Sequence, residues 1–300
     1  MRQDVVVIGG GIAGLATGAL LAKQGYGTVV LEKGNQPGGR AYAYVDKGFT
    51  LNYGPHAVYR PETGLLADLM RRLDRPVPRC FYPDPMRAWW CDGDRLGAIG
   101  AKPHQMLGSR LLPLGSKLRL GPLMLAIRGA KLDGIPHGLR WGAWLDAHTS
   151  DAHLRRFILA LSTVNTYTRN SGELSARLMV KQLQDNLFAK DSVGYMSGGW
   201  SSMYEAFIAA LRAHGGQLVT QARVDTLELR DGRVTAAVAG GERYEAEAFV
   251  CAAPPQEASS LAPASTPLRA ELERHARLHD VRATCIDLGF SRRLRTDLTF

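Results

Sequence analysis

The pattern of apolar and polar positions divides the chain into stretches of different character. Residues 1–55 carry short β-branched runs at 5–8 and 28–31, separated by a stretch of small residues that is typical of a closely packed helix. Apolar side chains at helical spacing dominate residues 103–190, and residues 193–254 return to strands that alternate with a helix. The pattern therefore predicts an α/β domain that is interrupted by a helical region.

The interrupting region is predicted to contain a small sheet followed by helices. Aromatic and turn residues between positions 80 and 101 favour short strands, with a hairpin turn at Asp92-Gly93. After them, one series of apolar positions predicts a helix whose side chains belong to a core: Leu111, Leu114, Leu118, Leu123 and Ile127. A further strand is predicted near the end of the chain, at residues 284–289.

Composition limits the class of protein and its partners. The 300 residues are 45% hydrophobic and 22% charged, which is ordinary for a soluble globular protein with room for two domains. The formal net charge of +9 comes mostly from scattered arginines, so we predict no nucleic-acid partner, while a peripheral contact with a membrane surface stays open. The four cysteines lie far apart, which predicts no metal site and fits reduced thiols in the cytoplasm.

The apolar stretch at residues 5–22 has an alternative interpretation as a targeting segment or a membrane anchor. A membrane-spanning helix needs about 20 predominantly apolar residues. Five glycines interrupt this stretch, and no strongly basic leader precedes it. A nucleotide-binding turn is therefore the stronger interpretation.

Three glycines with the spacing Gly9-x-Gly11-x-x-Gly14 follow the first predicted strand. Gly9 allows a tight turn, Gly11 lets a pyrophosphate approach the backbone, and Gly14 lets the helix pack closely on the sheet. The helix N-terminus directs its N–H groups at the phosphates. Glu32 ends the second predicted strand, where a carboxylate accepts hydrogen bonds from ribose hydroxyls and repels a 2′-phosphate. We therefore predict an NAD or FAD site formed by Gly9, Gly11, Ile12, Ala13, Gly14, Glu32 and Lys33.

Further motifs occur in an order that resembles a known family. They are Gly38-Gly39-Arg40, Gly54-Pro55, Gly198-Gly199-Trp200 and Ala252-Ala253-Pro254-Pro255. Together with the glycine turn, they make the chain similar to flavin-dependent amine oxidases and phytoene-desaturase-like FAD oxidoreductases over nearly its whole length. The resemblance implies an α/β fold, with a Rossmann-like FAD-binding domain and an inserted helical and sheet substrate domain. It also implies FAD contacts at Gly39, Arg40, Gly54, Pro55, Val224, Ala252, Ala253 and Pro254.

The same resemblance implies a division into two discontinuous domains. The FAD-binding domain would consist of residues 1–80 and 193–260, and the substrate or lid domain of residues 81–192 and 261–300. Relatives usually continue into a segment with another glycine motif against the flavin, and that motif is not visible in this sequence. We therefore expect a missing C-terminal segment, a complementing chain, or a flavin site that has lost part of its contacts.

The family implies a reaction in which hydride leaves a C–H bond of a small hydrophobic substrate for the flavin N5. His56, beside Gly54-Pro55, is the candidate catalytic residue, and the competing interpretation is a loop histidine that bonds to backbone. Two alternative functions stay open. One is a redox-neutral isomerase that uses reduced FAD, and the other is a non-catalytic protein that binds isoprenoids or prenylated proteins on the same scaffold.

Overall fold

The computed structural model describes residues 3–82, 89–92, 94–98, 108, 111–187, 191–264, 266–277 and 284–292. The chain forms two compact units. Unit 1 consists of Met1–Phe81, Tyr195–Asp280 and Cys285–Asp287, and unit 2 of Tyr82–Gly194, Val281–Thr284 and Leu288–Phe300. The predicted division of cofactor and substrate binding between two sets of segments stays a prediction.

Strands are concentrated in unit 1, and helices form most of unit 2. The strands are β1 (Gln3–Ile8), β2 (Thr28–Leu31), β3 (Ala43–Asp46), β4 (Phe49–Asn52), β5 (Ala57–Tyr59), β6 (Cys80–Phe81), β7 (Trp89–Asp92), β8 (Arg95–Ala98), β9 (Val193–Met196), β10 (Gln217–Val219), β11 (Val224–Arg230), β12 (Arg233–Ala239) and β13 (Glu242–Cys251). The α-helices are α1 (Ile12–Lys23), α2 (Leu65–Arg72), α3 (Leu114–Gly129), α4 (Trp141–His148), α5 (Ala152–Thr166), α6 (Ala176–Leu187), α7 (Ser201–Ala213), α8 (Pro255–Leu261) and α9 (Pro267–Ala276).

The main sheet of unit 1 has the strand order β10-β2-β1-β13-β12-β11. Strand β1 is parallel to β2 and to the second half of β13, with Ile8 opposite Leu31 on one side and Cys251 on the other. The first half of β13 pairs antiparallel with β12, which pairs in turn with β11. Val5 to Ile8 are all buried, because a central parallel strand is covered on both faces. The sheet confirms the predicted α/β fold class.

Two helices cover one face of this sheet. Helix α1 packs beside α7, and their side chains share a core that includes Leu15, Phe207 and Leu211. Gly18 brings α1 close to β2, since a Cβ at Gly18 would lie 2.6 Å from the Val30 Cγ2 atom. Burial of these apolar side chains is the main stabilisation of this layer, at about 25 cal/mol for each Å² removed from water.

Unit 2 has its own core, built from helices α3 to α6. Trp141 is fully buried there and donates a hydrogen bond from its indole N–H to the Ser162 hydroxyl at 3.0 Å. Asp151 begins α5 by accepting a hydrogen bond from the Leu154 N–H at 3.0 Å, which satisfies one of the N–H groups that a helix start leaves open. Among the described residues, no helix combines the length and the apolar character needed to cross a membrane.

The helical series that sequence periodicity assigned to a core is wrong in part. Leu123 and Ile127 are buried, but Leu114 and Leu118 are each 68% exposed, and Leu111 is only partly buried. The reason is geometric, because the step of five residues from Leu118 to Leu123 turns the helix by about 140° beyond one full turn. The apolar positions of α3 therefore lie on two opposite faces.

Two other predictions concern local strands. The expected strand at residues 284–289 is wrong, since these residues form no strand and are exposed. Strand-forming side chains produce a strand only where a neighbouring edge supplies hydrogen bonds. The predicted hairpin near residue 92 agrees with the antiparallel pairing of β7 and β8, in which Asp92 lies opposite Arg95. Gly93 itself lies outside the described residues.

Candidate cofactor site

The first glycine turn joins β1 to α1 by close backbone contacts. Gly9 has a φ of +106°, which L side chains rarely adopt, and its N–H donates to the Leu31 carbonyl at 2.8 Å. A Cβ at Gly9 would lie 3.3 Å from the carbonyl group of Ala252, and one at Gly14 would overlap the carbonyl oxygen of Gly9. These two glycines are therefore required by the fold itself.

Gly11 differs from them because protein packing leaves space at its α-carbon. A Cβ there would meet no protein atom nearer than 4.0 Å, the distance to the Gly38 carbonyl oxygen and the Gly39 Cα. Gly11 caps α1 without a side-chain hydrogen bond, and Ile12 and Ala13 follow in the first helical turn. Since an α-helix leaves its first N–H groups without partners inside the helix, this bare surface suits a phosphate group.

Glu32 lies at the end of β2, and its carboxylate is buried against the glycine turn. Its Oε2 atom accepts a hydrogen bond from the Gly10 N–H at 2.7 Å, and its Oε1 atom accepts one from the Gly34 N–H at 2.7 Å. A carboxylate has about four acceptor positions, so capacity for a ribose hydroxyl remains. Sequence reasoning missed Gly10, where a Cβ would lie 2.7 Å from the Glu32 Cβ.

Lys33, the next predicted contact, forms an ion pair with α8. Its Nζ atom lies 2.7 Å from the nearer Glu257 carboxylate oxygen, and both side chains are about half exposed. This pair connects the end of β2 to the helix that follows Pro254. A role of Lys33 towards a cofactor stays a prediction.

A second glycine loop lies directly against the first. The Gly38 N–H donates to the Gly10 carbonyl at 2.8 Å, and Gly38 also forms a parallel bridge with Gly11. Gly38 has a φ of +116°, and a Cβ there would lie 3.1 Å from the ring of Tyr204 on α7. Burial raises the pKa of Tyr204, so this phenol stays neutral beside the loop. Arg40 follows in an exposed position, where its guanidinium is available to an anion.

The returning strand lines the same turn. The Ala252 N–H donates to the Ile8 carbonyl at 2.8 Å, and the backbone of Ala253 lies beside Gly9. Near the end of β2, the Ala222 N–H donates to the Glu32 carbonyl at 2.8 Å, two residues before the buried Val224. Predicted contacts from four separate parts of the sequence are thus brought to one edge of the sheet: Gly9, Gly11, Gly14, Glu32, Gly39, Ala252 and Ala253.

The loop at Gly54-Pro55 is held by a different set of contacts. The Trp200 indole N–H donates to the Pro55 carbonyl at 3.0 Å, and the Trp200 backbone N–H donates to the Asn52 side-chain oxygen at 2.8 Å. The Tyr53 N–H donates to the Tyr42 carbonyl at 2.7 Å, just beyond the second glycine loop. Two motifs that the sequence presented separately, Gly54-Pro55 and Gly198-Gly199-Trp200, are therefore one structural unit.

His56 is exposed, and its ring contacts Tyr195. The ring centroids are 5.4 Å apart with an interplanar angle of 59°, and Tyr195 stacks in turn on Phe81 at 5.4 Å. Sequence reasoning missed Tyr195 and Phe81, because neither belongs to a glycine motif. A catalytic role of His56 stays a prediction.

The residues around the glycine turn fit a dinucleotide cofactor. The unfilled space at Gly11, the start of α1 and the buried carboxylate of Glu32 are the features that a pyrophosphate and a ribose require. Within the described residues, no group of three or more His, Cys, Asp or Glu side chains is arranged to hold a metal ion. The space at Gly11, the start of α1 and the Glu32 carboxylate favour a nucleotide cofactor.

The chain is similar to known proteins in sequence and in fold. The chain matches the family model described as flavin containing amine oxidoreductase over residues 12–299. It is 28% identical over 276 residues to a lycopene-forming phytoene desaturase of Pseudescherichia vulneris, covering 82% of this chain and 54% of that protein. The chain spans about half the length of the curated relatives it matches.

Solved structures agree on the fold. An oxidoreductase from Methanosarcina mazei is similar with a TM-score of 0.74 and 21% identity, over 90% of this chain and 64% of that one. A double mutant of putrescine oxidase is similar with a TM-score of 0.72 and 20% identity, over 92% and 63%. The family match confirms the predicted resemblance and the predicted flavin cofactor, FAD.

Proposed function

The chain belongs to the family of flavin-containing amine oxidoreductases, and from this premise we propose that it is an FAD-dependent oxidoreductase of the desaturase type. It moves hydride from one C–H bond of a hydrophobic substrate, such as a polyene or an isoprenoid, to the flavin. A proton leaves the adjacent carbon, and the electrons of that C–H bond form the new double bond. Curated relatives that are named phytoene desaturases support this substrate class. The predicted complementing chain or missing segment and the predicted cytoplasmic location stay proposals.

The open backbone at Gly11 is the observation that carries the proposal. Gly9 and Gly14 are explained by packing within the protein. At Gly11, no atom of the described residues lies closer than 4.0 Å to an added Cβ. A pyrophosphate binds to the free N–H groups of a helix N-terminus, and it can approach them only where the backbone carries no side chain. FAD contains one, and the family is flavin-dependent.

Bound FAD supplies a hydride acceptor at its flavin N5. The chain's own residues bind and orient it. The first-turn N–H groups of α1 would donate to the pyrophosphate, the Arg40 guanidinium would offset its negative charge, and Glu32 would accept from the ribose. The Trp200 indole fixes the Gly54-Pro55 loop, which would then lie near the flavin, as the resemblance implies.

An aromatic surface supports the choice of an apolar substrate. His56, Tyr195 and Phe81 form a continuous row of rings, and the Phe81 side chain is 60% exposed. Flat conjugated chains pack favourably on such faces. We propose that His56, at one end of this row, accepts the proton that the adjacent carbon releases when the double bond forms.

The cofactor proposal is tested by comparing FAD occupancy in the wild type and in Gly11→Val. Each protein is purified with added FAD, and the visible flavin absorbance is measured for each mole of protein. We expect the variant to retain less than about a tenth of the wild-type flavin, because the valine methyl groups fill the space a phosphate needs.

Gly138→Val is the matched control. Gly138 also has nothing within 4 Å of its added Cβ, but it lies in unit 2. This variant should carry as much FAD as the wild type. With FAD removed from all three proteins, both variants should keep the melting temperature of the wild type. Equal FAD occupancy in the wild type and in Gly11→Val would contradict the proposal that the FAD pyrophosphate binds at Gly11.

Substrate class is tested by anaerobic bleaching of the bound flavin. We expect a C40 polyene such as phytoene, delivered in detergent micelles, to bleach the flavin, and putrescine to leave it oxidised. Bleaching by the diamine alone would contradict a hydrophobic substrate. Conversion of the polyene without bleaching and without an electron acceptor would identify the isomerase alternative instead.

A further inference from the structure

The start of helix α7 contacts two loops that are far apart in the sequence. Trp200 caps the helix and Tyr204 lies in its first turn, where the Tyr204 N–H donates to the Trp200 carbonyl at 3.2 Å. A separation of four residues places the two side chains within about 40° of each other around the helix axis. Both therefore project from the same side of α7.

Tyr204 packs against the second glycine loop. Its side chain is buried, and a Cβ at Gly38 would lie 3.1 Å from two of its ring carbons. Gly38 in turn donates its N–H to the Gly10 carbonyl in the first glycine turn at 2.8 Å. None of the described residues forms a hydrogen bond with the Tyr204 hydroxyl. The flat ring is therefore what holds the loop.

Trp200 restricts the peptide group that carries His56. Its indole N–H donates to the Pro55 carbonyl at 3.0 Å. Because a peptide group is planar, a hydrogen bond to its oxygen also restricts the N–H and Cα of the next residue, His56. The His56 ring contacts Tyr195 but has no hydrogen bond in the part of the chain that the structure describes. The position of this ring thus depends on the backbone that Trp200 holds.

A hairpin connects the same two loops by a second route. Strand β3 follows the second glycine loop and β4 precedes Gly54-Pro55, with Ala43 opposite Asn52. The Asn52 side-chain oxygen accepts a hydrogen bond from the Trp200 backbone N–H at 2.8 Å. The hairpin and α7 therefore form a closed circuit of contacts, which limits how far the two loops can move apart.

We propose that the start of α7 positions the proton acceptor relative to the cofactor. Tyr204 holds the loop beside the pyrophosphate site, and Trp200 holds the peptide that carries His56. Both are positioning residues, and neither exchanges a proton with the substrate. The inference rests on the proposed function, in which His56 accepts the proton that leaves beside the new double bond. Since a displacement of about 1 Å can slow a reaction by about 100-fold, the indole hydrogen bond controls the rate of the chemical step.

Trp200→Phe tests the indole hydrogen bond, because it keeps an aromatic ring against the core and removes the N–H donor. The holoprotein is mixed anaerobically with saturating phytoene in detergent micelles, and the rate of flavin bleaching is measured. We expect bleaching to be slower by about tenfold or more. The dissociation constant of FAD, titrated into the apoprotein, should stay within about twofold of the wild-type value.

The same substitution in a His56→Gln background separates positioning from a general loss of structure. If Trp200 acts through His56, adding Trp200→Phe to His56→Gln should change the bleaching rate by less than about twofold. Asn52→Leu is a second variant, which removes the acceptor of the Trp200 backbone N–H at similar side-chain volume. It should slow the wild type and have little effect in the His56→Gln background.

Tyr204→Leu and Tyr204→Phe form a matched pair for the cofactor loop. The phenylalanine keeps the ring that contacts Gly38, so the conservative variant should bind FAD within about twofold of the wild type. The leucine loses the flat ring, and we expect about fivefold weaker FAD binding or more. Melting temperatures of the apoproteins show that each variant is folded. Equal FAD affinity in the two variants would contradict the role of Tyr204.

The outcomes distinguish this inference from the proposed function. Equal bleaching rates in the wild type and in Trp200→Phe overturn the role of Trp200, and so do equal losses in the wild-type and His56→Gln backgrounds. Neither result affects the proposed function. A wild type that phytoene does not bleach, or a His56→Gln variant that bleaches as fast as the wild type, contradicts the proposed function, and the inference fails with it.

Discussion

Helices α1 and α3 are both rich in apolar residues, and both contain glycines. The glycines of the two helices differ in how closely other atoms surround them. In α1, a Cβ at Gly14 or Gly18 would collide with the backbone of Gly9 or the side chain of Val30. In α3, Gly121 has nothing within 4 Å of an added Cβ, and Gly115 meets only the Arg119 side chain at 3.8 Å. Glycine in a helix therefore indicates close packing only when a neighbouring element occupies the space.

The same contrast applies to the leucines. Helix α1 lies against the sheet and α7, so Leu15 and the small residues beside it are buried. Helix α3 has a covered face and an open one, although most of its residues are also apolar. Apolar composition thus predicts that a helix will be buried somewhere, but not on which side.

Replacement of Gly14 should have the largest effect on stability. We expect Gly14→Ala to lower the free energy of unfolding by about 3 kcal/mol or more, because its methyl group overlaps a backbone carbonyl that cannot rotate away. Urea unfolding followed by circular dichroism measures the change. A loss below about 1 kcal/mol would mean that α1 moves off β1 more easily than the contact implies.

Gly18→Ala should be intermediate, at about 1–2 kcal/mol, because the obstructing atom is a methyl group of Val30 at 2.6 Å. The effect should depend on that side chain. In the background of Val30→Ala, adding Gly18→Ala should cost about 1 kcal/mol less than in the wild type. Additive losses in the double-mutant cycle would show that Val30 is not the cause.

The smallest effect, with the opposite sign, is expected in α3. Gly115→Ala should stabilise the protein by about 0.5 kcal/mol, since alanine loses less backbone entropy in a helix and fills open space. It makes the same chemical change as Gly14→Ala and serves as its control. Destabilisation by Gly115→Ala would show that Gly115, like Gly14, cannot accommodate a methyl group.

Local sequence was sufficient to predict the strand, the first glycine turn and the helix that follows it. The strand, the glycines, the helix and Glu32 lie within about thirty consecutive residues, so their geometry follows from chain direction and residue type. The role of Glu32 in holding the N–H groups of Gly10 and Gly34 was not predicted. A carboxylate's partners are decided by the fold of both loops around it.

Contacts between distant segments could not be predicted as pairs. Trp200 and Pro55 are 145 residues apart, and nothing in either motif specifies that an indole N–H will find that carbonyl. The residues 284–289 were predicted as a strand from side-chain preference alone, and that failed because a strand also needs a partner edge.

The sequence by itself determined the cofactor class, the α/β fold and the glycine turn, because these depend on short-range spacing and on residue types with few alternatives. Only the tertiary structure decided that Gly38 lies against Gly10, that Trp200 fixes the Gly54-Pro55 loop, and that Leu118 faces outward while Leu123 faces the core. The physical reason is that burial and long-range hydrogen bonds depend on which surfaces meet. An apolar residue carries the same preference for burial wherever it stands, and packing alone selects the side that is covered.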